Sequence, residues 1–202
     1  MELINDFKLK AENLSETGYR VRIEYYFTRG LEIFRMKMDF FLIYTIIYLA
    51  SMFIPFAGFI ISIPLLAGFF ISAHHLVKGK KLYFEDMFDG FKHFVGLLLF
   101  ALISSIIIFF GFLALIIPGI YLLVGYLFAP LFIVFGKMEF WDAMETSRRL
   151  IHKEWFSIFL FLILLGIFNL LGVLALGIGV LFTIPITYCA IYAAFEDIVG
   201  VN

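Results

Sequence analysis

The sequence predicts an all-α polytopic membrane protein. Six transmembrane helices pair as three hairpins in a threefold internal repeat, each preceded by an amphipathic interfacial helix. Three observations carry this. First, the 202 residues are 63% hydrophobic with 15 Lys/Arg and 16 Asp/Glu, yet residues 40–77, 93–136 and 155–195 contain no charged side chain. A soluble core tolerates apolar runs of roughly ten residues, whereas about 20 cross the hydrocarbon layer. Second, each run is about two spans long and carries Pro or Gly near its middle. Third, the glycines at those middles, Gly58, Gly119 and Gly179, recur at intervals of 61 and 60 residues.

Residues 1–22 form an N-terminal segment without a basic region followed by an apolar stretch, so no cleaved secretory signal is expected. The membrane domain is expected over 23–197, with repeat units of about 23–79, 82–136 and 139–197, and residues 198–202 form a tail. In the first run Ile54-Pro55-Phe56-Ala57-Gly58 separates spans of 38–54 and 59–77. In the second, Pro118-Gly119 separates 95–117 from 120–136. In the third, Gly177-Ile178-Gly179 separates 156–175 from 180–195. Proline removes a backbone donor and glycine costs about 1 kcal/mol in a helix, so both belong at turns. The half-runs of the first hairpin are about 19 residues, or roughly 28 Å, against a hydrocarbon layer of about 30 Å. Full crossings and re-entrant wedges both fit that length.

The repeat extends beyond the tips. Gly58 is followed by Phe59-Ile60-Ile61-Ser62-Ile63-Pro64, and Gly179 by Val180-Leu181-Phe182-Thr183-Ile184-Pro185. The middle copy has Gly125 where the others have proline. Upstream, Gly30-Leu31-Glu32-Ile33-Phe34 stands sixty residues before Gly90-Phe91-Lys92-His93-Phe94. The leading segments have helical periodicity. Ile23, Phe27, Leu31 and Phe34 share one face. So do Phe84, Met87, Phe88, Phe91 and Phe94, and in the third copy Trp141, Met144, Ile151 and Trp155. Such helices either lie in the headgroup plane or pack on protein.

Every basic residue precedes a hairpin. Seven lie before the first (Lys8, Lys10, Arg20, Arg22, Arg29, Arg35, Lys37). Lys78, Lys80, Lys81 and Lys92 precede the second, and Lys137, Arg148, Arg149 and Lys153 the third. No Lys or Arg remains for the tips, so the positive-inside rule puts both termini on the cytoplasmic side of an inner membrane. The near-balanced charge gives no reason to expect nucleic acid. Cys189 is the single cysteine, which excludes an intramolecular disulfide and a thiolate metal cluster.

Candidate chemistry is sparse. The histidines His74, His75, His93 and His152 fall near the ends of the apolar runs, at the level of Glu85, Asp86, Asp89, Asp142, Glu145 and Glu154. A His–carboxylate metal site could form there. However, His74 and His75 point about 100° apart on a helix, and polar residues ordinarily end membrane helices. Within the runs, Asn169 is the only carboxamide, with Ser62, Thr183 and Thr187 among the hydroxyls. Asn169 reads as interhelical glue, and Pro64 and Pro185 as kinks or as breaks exposing carbonyls to a substrate. No ionisable group lies mid-span for ion-coupled transport. None of the mid-span serines has His or Asp near it in sequence, and no phosphate-cradling loop is present.

Phe140-Trp141-Asp142-Ala143-Met144-Glu145-Thr146-Ser147, then Leu150, Lys153 and Trp155, follow Ile116-Ile117-Pro118-Gly119-Ile120-Tyr121. Over residues 25–197 this resembles a broad bacterial family of uncharacterised six-helix membrane proteins. That family is similar to the membrane domain fused to some glycerophosphoryl diester phosphodiesterases. The resemblance implies a membrane module without established catalytic residues. A phosphodiesterase barrel would need about 250 further residues, so that activity does not transfer.

The function expected is therefore a non-catalytic module that organises lipid or partner proteins in the membrane, with no cofactor. Its partners would be the lipid bilayer and other membrane proteins. A permease or flippase for a lipophilic substrate is the alternative, and an interfacial metalloenzyme the third.

Overall fold

A computed structural model describes residues 2–55 and 58–201. Among these, every regular element is helical: α1 (Glu2–Thr17), α2 (Ile23–Met36), α3 (Met38–Met52), α4 (Gly58–Val77), a 3₁₀ helix (Phe84–His93), α5 (Phe94–Ala114), α6 (Ile116–Gly125), α7 (Ala129–Val134), α8 (Phe140–Lys153), α9 (Trp155–Leu174) and α10 (Val180–Ile198). Five stretches are long and apolar enough to cross a membrane: Gly58–Val77, Phe84–Ala114, Ile116–Val134, Trp155–Leu174 and Val180–Ile198. The sixth apolar helix, α3, has 15 residues. It rises about 22 Å, short of a full hydrocarbon layer.

The chain divides into two compact units. One comprises Met1–Val21, Val95–Leu162 and Ile198–Asn202, and the other Arg22–Phe94 and Ile163–Asp197. In the second unit, the 3₁₀ helix lies against α4 with backbone touching backbone. A Cβ on Gly90 would collide with Pro64 O, and one on Gly68 with the Tyr44 hydroxyl. That hydroxyl, fully buried, reaches Leu65 O at 2.6 Å and Met87 O at 2.7 Å. One phenol therefore ties α3, α4 and the 3₁₀ helix together. Its ring stacks on Phe69 at 4.3 Å, and Phe69 stacks in turn on Tyr188 of α10 at 5.1 Å. Gly30 of α2 is also in close contact with α10, where a Cβ would sit 2.7 Å from Ala190 N.

In the first unit, α8 is seated on α6 and α7. The Ser147 hydroxyl donates to Gly125 O (2.7 Å) and accepts from Phe128 N (3.1 Å). It thus caps the loose carbonyl and amide left where α6 stops before Pro130 restarts the helix as α7. The helix α1 packs along α8, with Lys8 paired to Asp142 at 3.0 Å, and buries Phe7 and Ala11, the Phe7 ring meeting Phe132 of α7 edge-on at 6.4 Å. The Tyr19 hydroxyl donates to Leu150 O.

The turns depart from the sequence reading in instructive ways. The first and third fall as expected: α3 ends at Met52 and α4 begins at Gly58, and the third turn is at 175–179; residues 56 and 57 of the expected first turn lie outside the described residues. The second break is at Leu115, not at Pro118-Gly119. Pro118 sits in the first turn of α6, where the backbone N–H has no helical acceptor and its loss costs nothing. The expected span of 120–136 is likewise interrupted at Tyr126–Phe128. Helices α4 and α10 run unbroken through Pro64 and Pro185. At every tip the glycine meets the residue seven positions earlier. A Cβ on Gly58, Gly119 or Gly179 would lie 2.6 Å from Ser51 O, 2.5 Å from the Phe112 ring and 2.6 Å from Gly172 O, respectively.

The leading segments are also reshaped. Residues 84–93 form a 3₁₀ rather than an α-helix, burying Met87 and Gly90 and leaving Phe84, Phe88 and Phe91 exposed. Helix α2 buries Tyr26, Gly30, Ile33 and Phe34, one register away from the expected face of Ile23, Phe27, Leu31 and Phe34. The small residue Gly30 marks the contact line that large side chains obscured. Segment 1–22, expected only as an N-terminal segment, contains α1.

Substituting alanine at Gly68 or Gly90 should destabilise the protein by about 1–3 kcal/mol through overpacking. Gly166→Ala, with open space around it, should be neutral or stabilising by up to about 1 kcal/mol. Ser147→Ala strands a buried amide and carbonyl and should cost about 1–3 kcal/mol. Thermal melts of the detergent-solubilised variants would measure all four.

Candidate functional site

Three places gather polar side chains, each inside a single unit. The first lies where α4 ends against the 3₁₀ helix. Asp86 and Asp89 are three residues apart on a helix of about three residues per turn, so their side chains eclipse on one face. His75, in the last turn of α4, faces them, with Nδ1 at 4.0 Å from Asp86 Oδ1. Among the described residues this is the His/carboxylate group able to hold a metal, its three donor atoms lying within 4.8 Å of one another. Asp86 is positioned by its other oxygen, which accepts the Tyr83 backbone N–H at 2.7 Å. Asp89 meets Lys92 at 2.7 Å.

The other histidines go elsewhere. Nδ1 of His74 lies 2.9 Å from the Tyr192 hydroxyl on α10. In the other unit, His152 Nδ1 lies 3.0 Å from the Tyr121 hydroxyl, and Trp155 Nε1 donates to Tyr121 O. His93 ends the 3₁₀ helix, half-exposed, and is not part of the three-donor group. Of the expected acids, Asp86 and Asp89 join His75. Asp142 pairs with Lys8, Glu154 accepts from Ser157, and Glu85 is exposed.

The second place lies within the apolar hairpin of α9 and α10. Asn169 Nδ2 donates to Leu165 O (2.8 Å) and to Thr187 Oγ1 (2.7 Å). Because a carbonyl only accepts, the Leu165 contact fixes which amide atom faces it and turns the Asn169 carbonyl the other way. Both residues line a groove of about 300 Å³ with Val173, Val180, Ile184 and Tyr188, and none of the six is ionised at neutral pH. Ser62 and Thr183 do not line it. Ser62 donates back to Phe59 O in its own helix, and Thr183 is buried where Gly172 leaves space. The Asn169–Thr187 pairing had a readable signal, since the two stand nine residues either side of Ile178 at the tip. Tyr188 carried no such signal.

The third place is a groove of about 190 Å³ between α1 and α8, lined by Lys8, Ala11, Glu12, Asp142, Glu145, Thr146 and Arg149. Its ion pairs are mutually satisfied. Glu145 accepts from Arg148 at 2.8 and 3.0 Å and from Arg149 at 2.7 Å. The Arg148 guanidinium, and then Arg149, hold the Glu145 carboxyl below the usual carboxylate range against the opposing effect of burial. Nothing about Lys8 or Arg149 in sequence announced this groove, because α1 itself was not foreseen. On α2, burial pushes the Tyr26 phenol up to about 12, and its hydroxyl donates to Asp197 at 3.1 Å.

Because Glu145 titrates lower in the folded state, its network stabilises the protein above the ordinary carboxylate pKa of about 4.3, and this contribution is lost as pH falls through the lowered value. The melting temperature of the parent should exceed that of Glu145→Gln at neutral pH, and the gap should close in acid. A gap independent of pH would show that the contacts act by packing alone.

No family model, no curated protein and no solved structure matches the chain.

Proposed function

We propose that the protein is a non-catalytic integral membrane module that binds and organises lipid within the bilayer. The observation that carries this is the uncharged groove of α9 and α10, with the Asn169–Thr187 pair in its wall. Asn169 spends both N–H donors on protein, leaving its carbonyl as an acceptor and the Thr187 hydroxyl proton as a donor. A neutral lipid hydroxyl or carbonyl matches that pair, and the surrounding valine and isoleucine match a chain. Charged headgroups have no counter-charge there.

The exposed apolar surfaces of the helices support a bilayer setting. Over their most apolar windows, the stretch ending in α5 and helix α9 are 17% and 22% buried, against 56% for α4 and 61% for α10. Rows such as Ile106, Phe109 and Leu113 on α5, or Ile167, Leu170 and Leu174 on α9, are exposed. In water that area would drive aggregation, whereas in hydrocarbon it is ordinary lipid contact. Phe84, Phe88 and Phe91 suit an interfacial strip, whereas α8 buries Met144, Leu150 and Ile151 on protein.

This reading includes three related hairpins, six crossings and both termini on the cytoplasmic side of an inner membrane. The constant seven-residue contact at Gly58, Gly119 and Gly179 supports the hairpin relationship. So does the pairing order, in which α2 sits on α10, the 3₁₀ helix on α4 and α8 on α6. The six-helix family resemblance over 25–197 is of the same kind. A permease or flippase gains less support, because Ser62 and Thr183 do not share the Asn169 groove.

Native mass spectrometry of gently purified protein should find neutral lipid adducts on the parent that Asn169→Leu and Thr187→Val lose. Retention unchanged in both variants would remove the groove as the lipid site. For topology, a Cys189→Ala background with single cysteines at Leu115 or Ile178 should react with an impermeant maleimide from outside only. Cysteines at Glu85 or Lys137 should react from inside only. Tip labelling from the cytoplasmic side would replace crossings with re-entrant wedges.

A further inference from the structure

We propose that His75, Asp86 and Asp89 form a binding site for one divalent transition-metal cation of the zinc class, where the C-terminus of α4 meets the 3₁₀ helix. The three side chains come from two elements and are held by different means. His75 is in the last turn of α4, where the helix dipole favours a cation. Asp86 is anchored by its contact with the Tyr83 amide, which leaves Oδ1 turned toward His75. Asp89 stands beneath Asp86 through the three-residue turn of the 3₁₀ helix. The seat that fixes these elements is the Gly90–Pro64 contact and the Tyr44 hydroxyl between Leu65 O and Met87 O.

The burial is right for a metal ligand set. The His75, Asp86 and Asp89 side chains are 20%, 19% and 20% exposed, so a bound ion would be shielded yet reachable by water. Donor separations up to 4.8 Å are wider than the about 3.4 Å edge of a tetrahedral zinc site. Drawing His75 and Asp86 in from 4.0 Å, together with a rotation of Asp89 toward them, would close the set. That rotation releases Lys92, whose side chain is 72% exposed and returns to solvent without burying a charge. Lys92 and the metal therefore compete for one carboxylate. An imidazole nitrogen with two carboxylates favours zinc, cobalt, nickel or manganese over magnesium and calcium, which prefer oxygen ligands throughout. Three protein donors leave the remaining positions to water.

Calorimetric titration of the full detergent-solubilised chain with Zn²⁺ tests this, with the visible ligand-field spectrum of Co²⁺ as a second readout. One saturable site per chain is expected. His75→Ala and Asp89→Asn should each weaken it about tenfold or more, and His152→Ala should leave it unchanged. Because His75→Ala could disturb the end of α4, the exposed Lys92→Ala is the sharper variant. Freeing Asp89 should tighten Zn²⁺ binding several-fold. The proposal is overturned by the absence of saturable binding, by binding that survives His75→Ala and Asp89→Asn together, or by an affinity indifferent to Lys92→Ala. None of these results bears on lipid retention in the α9–α10 groove, so the two readings stand or fall separately.

Discussion

Backbone contact at glycine is the constraint from which the second unit is built. Gly90 lies so close to Pro64 O, and Gly68 to the Tyr44 hydroxyl, that a single added carbon at either place has nowhere to go. In hydrocarbon this is how helices associate. Lipid tails are as apolar as leucine, so burying leucine there gains little, and close approach with its dispersion and hydrogen bonds takes over. The Tyr44 phenol exploits the same proximity by reaching two carbonyls from different helices. Gly30 against Ala190 extends the device to α2 and α10.

That close seat accounts for the 3₁₀ geometry. A ten-residue 3₁₀ helix is long for its kind, since its hydrogen bonds are poorer than those of an α-helix. Here Asp86 caps it at Tyr83, and the tighter coil brings Met87 and Gly90 together onto α4. The same period stacks Asp86 and Asp89 over His75. Packing and candidate chemistry are thus consequences of one choice of helix pitch: residues at i and i+3 serve the seat on one side and the polar cluster on another.

Legibility in the sequence followed what each signal measures. Charge-free runs located the apolar helices, because exclusion of charge is a property of the whole segment. Glycines located the first and third tips. Proline misled at Pro118, where the break fell three residues earlier, since a residue without an N–H is at home in a helix's first turn. Periodicity found the leading helices, but the face it marked on α2 shares only Phe34 with the buried set, because it weighs Ile23 and Leu31 above Gly30. In a crossing this close the smallest residue marks the line of contact. Helix α1 escaped notice, its buried residues Phe7 and Ala11 being too few to stand out. His75 was separable from His74 only in three dimensions, where their roughly 100° divergence sends one to Asp86 and the other to Tyr192.

The tips add an argument about how such a hairpin can vary. A glycine at or near the start of the second helix approaches the residue seven positions earlier, whether that residue is Ser51, Phe112 or Gly172. Where the partner presents backbone, as at Ser51 O and Gly172 O, the helices can close to a backbone contact. Where it presents the Phe112 ring, the contact moves outward, and Gly111 beside it restores a close approach to Gly119. What the three places share is a contact at a fixed spacing, while the facing residue differs. Asn169 and Thr187, nine residues either side of Ile178, are set opposite one another across the third tip. A polar pair can arise there by substitution at two sites without any change in fold, in a hairpin whose other walls remain lipid-like.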